Sequence, residues 1–292
     1  MKISKESFDN YYNDVNSEFF NYYPEELESY LRKEWSDKWM FHKRMCDFDN
    51  YPLTLLGTIE NLKESRLEKL SKKGCYWYIK KRDGSYGRSI CITKNPLSFF
   101  GGKLLASKVN SYLIQKEIKS ELHNGRKYDY RIYIMLLRRG EKIEYYYYKR
   151  YVVRFCYKGL DEKRDIYNSI TNHHIYSLLK LDENFYELSD KFDKDNEKIE
   201  SLNESFINRL REYEYEYKDM MCINSFRILG LDYMVESKTD KIYILELNTI
   251  PGVYYGGVED EFFKRYNNFH MEIIKDLDKL FRGEKNDWKV CL

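Results

Sequence analysis

Apolar and polar positions along the chain alternate between two periods, and the changes of period mark the elements. Tyr23-Pro24-Glu25-Glu26-Leu27-Glu28 places a proline and then acids where a short helix would start. Residues 35–46 alternate basic and apolar, and Asn50-Tyr51-Pro52 marks a turn. Ile59, Leu62, Leu67 and Leu70 then recur at helical spacing, which predicts a helix over 58–73 stopped by Gly74. A strand at 75–80, a glycine-bearing loop at 81–88 and a returning strand at 89–93 read as a hairpin with a long tip. Further strands are predicted at 111–115, 128–137 and 143–156, with Arg139-Gly140-Glu141 turning between the last two, so the middle of the chain is an antiparallel sheet. Residues 181–216 are rich in charge and predict exposed helices, with 212–217 as one solvated helix face. Strands at 228–236 and 241–248 follow, and Phe262, Phe263, Phe269, Ile273, Ile274, Leu277 and Leu280 predict a closing helix over 259–281.

Composition narrows the classes. The 292 residues suffice for one large domain or two to three small ones, and Lys+Arg 50 against Asp+Glu 48 leaves a net charge of +2. No uniform basic field points to nucleic acid. No apolar stretch of signal-peptide or membrane-spanning length occurs, which predicts a soluble, cytoplasmic chain without membrane contact, taken here as a monomer. Six cysteines are scattered singly with no C-x-x-C pair, so neither a zinc ribbon nor a disulfide framework is expected. Tyrosine is abundant, 30 residues with an unbroken run from Tyr145 to Tyr148. Most are expected on strands and at the surface with wet hydroxyls.

Three constellations carry candidate chemistry. Glu246 and Asn248 lie two apart on one predicted strand and face the same way, and a hairpin through Thr239 brings Asp232 opposite them. Three hard oxygen donors would then converge within an apolar setting, which suits Mg²⁺ with phosphate oxygens. The same alternation also fits strands whose acids face water, and spacing leaves both open. Second, Lys80 precedes a loop containing Gly84, Ser85 and Gly87, where backbone amides can approach phosphate oxygens, although an ordinary hairpin tip fits as well. Third, Lys127, Asp129 and Arg131 share one strand face, with Arg154 on the next strand. Cations interleaved with an acid can orient phosphate and carboxylate together, or form a simple cross-strand salt ladder.

The order of these pieces resembles the tubulin-tyrosine ligase and ligase-like family of ATP-grasp enzymes. The series runs Trp77-Tyr78-Ile79-Lys80, Gly84-Ser85-x-Gly87-Arg88, Ile114-Gln115-Lys116-Glu117-Ile118, Gly125-Arg126-Lys127-Tyr128-Asp129-Tyr130-Arg131, Val153-Arg154-Phe155, Ile170-Thr171-Asn172, Leu229-Gly230-Leu231-Asp232 and Leu245-Glu246-Leu247-Asn248-Thr249-x-Pro251-Gly252. It spans residues 38–253. Lys81 stands where the family has proline after its strand lysine, and Ser169 where it has histidine.

The resemblance implies an α+β ATP-grasp fold: two sheet-bearing lobes enclosing ATP, with a shortened N-terminal element. The expected division is 1–48, the N-terminal element; 49–118, a central lobe with the Lys80 glycine loop as a lid; and 119–292, a C-terminal lobe with the metal site. It further implies an ATP-dependent ligase that joins a free amino acid to a protein or peptide, with tubulin among the candidate acceptors. On the family pattern Lys38 and Lys80 hold ATP phosphates with the Gly84-Ser85-x-Gly87 loop. Gln115, Lys116, Glu117 and Ile118 line the adenine hinge, and Lys127, Asp129, Thr171 and Asn172 complete the nucleotide contacts. Asp232, Glu246 and Asn248 hold Mg²⁺, and Arg131 and Arg154 face the reacting carboxylate. Two rival classes are a catalytically degenerate member that binds nucleotide or a partner, and a nucleic-acid-binding module whose affinity would fall steeply with salt.

Overall fold

A computed structural model describes residues 25–82, 84, 89–100, 109–171, 186–189, 192–249, 251 and 261–291. The described chain opens with helix α1 (Glu25–Leu31), a π-helical turn (Arg32–Ser36) and helix α2 (Lys38–Met45). Asp37 caps α2, its carboxylate accepting hydrogen bonds from the Trp39 and Met40 amides. Strand β1 (Thr54–Leu56), helix α3 (Glu64–Ser71), the hairpin β2 (Trp77–Lys81) and β3 (Ile90–Thr93), helix α4 (Pro96–Phe100) and strand β4 (Tyr112–Lys116) follow. The four strands form an antiparallel sheet in the order β1-β4-β2-β3. Trp77, Ile79 and Ile114 on one face pack against Leu67 and Leu70 of α3, leaving the other face, with Lys80 and Gln115, to the second sheet.

That second sheet is built on β6 (Arg126–Arg139), preceded by β5 (Leu122–His123) and followed by β7 (Lys142–Tyr148) and β8 (Val152–Gly159). Helix α5 (Ile166–Ser169), strand β9 (Tyr186–Leu188), helices α6 (Asn196–Glu212) and α7 (Glu214–Tyr217), strands β10 (Ser225–Val235) and β11 (Ile242–Asn248), helix α8 (Glu261–Phe281) and strand β12 (Trp288–Cys291) complete it. The order is β11-β10-β6-β7-β12, with β8 and β9 beside the first half of β6, all antiparallel. Even-numbered residues of β6, from Tyr128 to Leu136, join a core with α6, α1 and α2, whereas Tyr133, Met135 and Leu137 pack under α8. The chain is thus of mixed α and β class, and α6 and α8 cover opposite faces of the larger sheet.

Several expected elements differ. The strand predicted over 143–156 is two, β7 and β8: both return along the same edge of the 14-residue β6, but the register shifts by two residues at 149–151, with Tyr147 opposite Ile134 and Val152 opposite Arg131. Lys149-Arg150 interrupts the apolar run at that join, the one local mark of it in the sequence. The helix predicted over 58–73 spans only Glu64–Ser71, and Ile59 is exposed in the turn before it. Residues 35–46, given no element by pattern, form α2 beyond the π-helical turn, and α4 and β12 are likewise additional.

Two expectations about burial are overturned. Helix α6 is no solvated helix: Ile199, Leu202, Phe206, Ile207 and Leu210 recur at i, i+3, i+4 spacing and enter the core. The segment ending at Tyr217 is mixed, with Tyr215 exposed and Tyr217 fully buried. Nor, among the described residues, are the tyrosines mainly superficial, since Tyr130, Tyr133, Tyr145, Tyr147, Tyr148, Tyr151, Tyr217 and Tyr233 are all buried. Seven of their hydroxyls are bonded: Tyr130 to Asp195 (2.5 Å), Tyr145 to Glu214 and to Tyr217 (both 2.7 Å), Tyr148 to Asp276 (2.9 Å), Tyr151 to the Phe192 carbonyl (2.6 Å), Tyr233 to Asn203 (2.8 Å) and Tyr133 with His270 (2.7 Å). A sheet covered on both faces offers each ring a core and all of these hydroxyls but that of Tyr147 a partner on another segment.

If α6 is a core helix, Phe206→Ala lowers the unfolding free energy by about 3–5 kcal/mol in chemical denaturation. Glu204→Ala, on its exposed face, changes it by no more than about 0.5 kcal/mol.

Candidate functional site

A single irregularity in strand pairing decides which way the acids point. Along β10 and β11 the partners are Gly230 with Asn248, Leu231 with Leu247 and Asp232 with Glu246, but Tyr233 pairs with Ile244, leaving Leu245 as an extra residue in a bulge. Strict alternation would put Glu246 on the face of Ile242 and Ile244, which is core. The bulge turns the strand by one residue, so Glu246 and Asn248 share a face with Asp232, and on β6 with Arg131 opposite Asp232.

On that face the charges interlock. Arg131 donates from Nε to Asp232 Oδ1 (2.5 Å) and from Nη2 to Oδ2 (3.1 Å). Arg154 pairs bidentately with Asp129, both bonds 2.7 Å, and its Nη2 also lies 3.0 Å from Asp232 Oδ1. Thr171 donates its hydroxyl to Asp129, and Asn248 Nδ2 sits 3.3 Å from Asp232 Oδ2. Burial opposes the Asp232 charge, yet the Arg131 and Arg154 guanidiniums prevail and hold the carboxyl down to about 2. Gly230 makes the packing feasible, because a Cβ there would lie 3.1 Å from Arg131 Cδ and 3.0 Å from Pro251 Cβ.

The smaller sheet faces this network. Lys127 donates to the Tyr78 hydroxyl (3.1 Å) across the gap between the sheets. Beside it a small cleft, partly open to solvent, lies between the sheets and α2. Lys80, Gln115, Leu113 and Thr54 come from the smaller sheet, Leu245 and Glu246 from β11, and Lys38, Phe41, Trp35 and Ser36 from the N-terminal helices, with Tyr51 from the turn between. Ser36 Oγ donates to the Leu247 carbonyl (3.0 Å), which seats the helices on the sheet edge. Burial lowers the Lys80 ammonium to about 8; Glu246 and Asp232 favour its charge, and Lys38 and Lys127 oppose it. Across cleft and network Lys38, Lys80, Lys127, Arg131 and Arg154 exceed Asp129, Asp232 and Glu246 by two charges, so an anionic ligand is complementary.

The sequence profile described as the tubulin-tyrosine ligase family matches residues 11–260. The chain belongs to the tubulin-tyrosine ligase family. No curated protein matches it closely enough to stand as a relative. Membership in the tubulin-tyrosine ligase family places the chain in an ATP-grasp-like class of ligases.

The other residues of the family pattern fall as follows. Lys38, at the start of α2, donates to the Gly84 carbonyl, while Ser85, Gly87 and Asn172 lie outside the described residues. Gln115 is buried and donates to Thr54 Oγ1 (3.0 Å). Lys116 is exposed, Ile118 is buried, and Glu117 is engaged by Arg164 (2.9 Å) instead of facing the cleft alone. Among the described residues no group of three His, Cys, Asp or Glu side chains converges on a point. The donor set of Asp232, Glu246 and Asn248 is two carboxylates and an amide, a chemistry that fits a hard divalent cation. Glu246 makes no salt bridge among the described residues, although two guanidiniums already occupy Asp232.

Sequence reasoning missed the cleft wall of Trp35, Phe41, Tyr51, Thr54 and Leu245, and the contact of Tyr78 with Lys127. Gly230 carried a usable signal, a glycine inside an apolar strand where another group approaches closely. The remainder came from segments whose partners are distant in sequence.

Because a bound polyanion restores the Lys80 proton affinity toward that of free lysine, binding between pH 8 and about 10 takes up a proton. Calorimetric titration with tripolyphosphate at pH 9, in buffers of different ionisation enthalpy, should reveal about one proton absorbed, falling to near zero at pH 6.5 and absent in Lys80→Met.

Proposed function

We propose that the chain is an ATP-dependent amino-acid ligase that joins an amino acid to a protein or peptide and releases ADP and phosphate. The observation carrying this reading is the cleft between two sheets in which Lys80, from one, faces Glu246, from the other, with Asp232 near enough to favour the Lys80 charge. Cations in excess beside paired oxygen donors are what a metal-bound triphosphate requires. Family membership supplies the reaction class.

In this reading residues 1–48 form the N-terminal element, 49–118 the central lobe and 119–292 the C-terminal lobe, with ATP between the last two. Lys38 and Lys80 neutralise the outer phosphates, Lys127 the inner ones, and residues 115–118 meet the adenine. Asp232, Glu246 and Asn248 would hold Mg²⁺, which supplies further neutralisation of the phosphoryl oxygens when bound. A carboxylate is a poor electrophile. Its oxygen therefore attacks the γ-phosphorus to give an acyl phosphate and ADP, and the incoming amine then displaces phosphate at the carbonyl to form the amide. Arg131 and Arg154, aligned by Asp232 and Asp129, orient the reacting carboxylate. The protein works by position and electrostatics, and no nucleophilic side chain is needed. Cys156 is accordingly spared, since burial pushes its thiol up to about 12.

The acceptor is a protein or peptide carrying a free carboxylate, with tubulin one candidate. A binding-only member is the second reading, favoured by the engagement of Asp232 with two arginines before any metal arrives.

ADP release that requires both Mg²⁺ and one amino acid separates the two readings, and labelled amino acids in a cell lysate locate donor and acceptor together. Glu246→Gln should lower turnover at least about a thousandfold with an unchanged circular dichroism spectrum. Turnover at the wild-type rate in that variant would remove the metal role from this strand.

A further inference from the structure

The two sheets are joined by a short crossing at residues 117–121, and a loop of the larger sheet is fastened to it. On the chain side, the Glu117 amide donates to the Tyr76 carbonyl (2.9 Å) and the Ser237 amide to the Lys119 carbonyl (2.8 Å), while Ser120 bridges to Glu236. The Glu117 side chain is 7% exposed, and Arg164 Nε donates to its Oε1 (2.9 Å). The Arg164 guanidinium lies 5.3 Å from the Tyr76 ring centre and also donates to the Asp161 carbonyl. Tyr76 closes the loop by donating its hydroxyl to the Glu162 carbonyl (2.6 Å). Residues 161–164 therefore grip both the crossing and the smaller sheet.

The grip continues toward the charged network. Asp165, the next residue, caps α5 in a reciprocal box with Asn168. Helix α5 ends at Ser169, and two residues later the Thr171 hydroxyl bonds Asp129, the carboxylate that holds Arg154. One loop thus ties the segment after Gln115 to the residue that completes the buried network. An arginine suits the task because one planar group can pair with a carboxylate and stack on an aromatic face together, which a lysine cannot reproduce.

We propose that Arg164 is a positioning residue for the base end of the nucleotide: through Glu117 it fixes residues 115–118, and through Asp165 and α5 it sets Thr171 against them. The inference rests on the nucleotide reading of the cleft. It predicts a defect greater at the base than at the phosphates: Lys38 and Lys127 make their hydrogen bonds to Gly84 and Tyr78 and not to Arg164 or Glu117, although Glu117 favours the Lys127 charge.

The test uses the full chain and two ligands that need no turnover, Mg²⁺ with the non-hydrolysable analogue AMP-PNP and inorganic tripolyphosphate. Glu117→Gln combined with Arg164→Met removes the pair without leaving a buried charge alone. This double variant should bind AMP-PNP about tenfold more weakly than wild type while losing no more than about twofold for tripolyphosphate. Arg164→Lys, which keeps the charge and loses the stack, should fall between, and it carries the comparison alone if circular dichroism shows the double variant unfolded. Unchanged AMP-PNP affinity in these variants, or equal losses for both ligands, would overturn the positioning role. Wild-type protein that binds neither ligand would instead overturn the nucleotide reading itself.

Discussion

Two carboxylates placed inside a sheet cannot stay charged without cations beside them, and that constraint organises the larger sheet of this protein. Asp129 and Asp232 are both buried, and each is matched by an arginine from a neighbouring strand. The match fixes strand register, because a slip of one residue between β6 and β10 would part Arg131 from Asp232, and one between β6 and β8 would part Asp129 from Arg154. It also divides one face of β6 in two. Residues 127–131 are polar and open toward the smaller sheet, whereas residues 133–137 are apolar and lie under α8.

The remaining charges are arranged around that fixed pair. Glu246 owes its place to the bulge at Leu245, and Lys80 to a strand of the opposite sheet that meets Lys127 through Tyr78. The excess of positive charge in the cleft is therefore a property of two sheets facing each other and not of either alone. It also gives Lys80 its lowered proton affinity, since burial and two neighbouring ammonium groups act against a single nearby pair of acids.

Much of this was legible in the residues. That Glu246 and Asn248 share a face follows from their spacing on one strand, although the bulge that turns that face to Asp232 has no mark in the pattern, and the order of short motifs identified the family over most of the chain. Residues 143–156 read as one strand because β7 and β8 run in the same direction along β6, and the break at Lys149-Arg150 is a two-residue shift of register and not a turn. The wall of the cleft was invisible for another reason: Trp35, Phe41 and Tyr51 reach it through contacts with β11 some 200 residues away, and local pattern holds no record of such distances. Helix α6 was misjudged on its charge content, although its apolar spacing was present to be counted.

The buried tyrosines tie distant positions of the chain to one another. Tyr130, Tyr145 and Tyr148 lie on the sheet, and the acids that receive their hydroxyls, Asp195, Glu214 and Asp276, lie on segments that cover it. Replacing such a ring with phenylalanine strips an interior acceptor of its donor, and replacing the acid strands the phenol. Sequence drift in this core is therefore expected to proceed by coordinated exchanges, strand and covering segment changing together, which explains how so biased an alphabet can persist once it has been adopted.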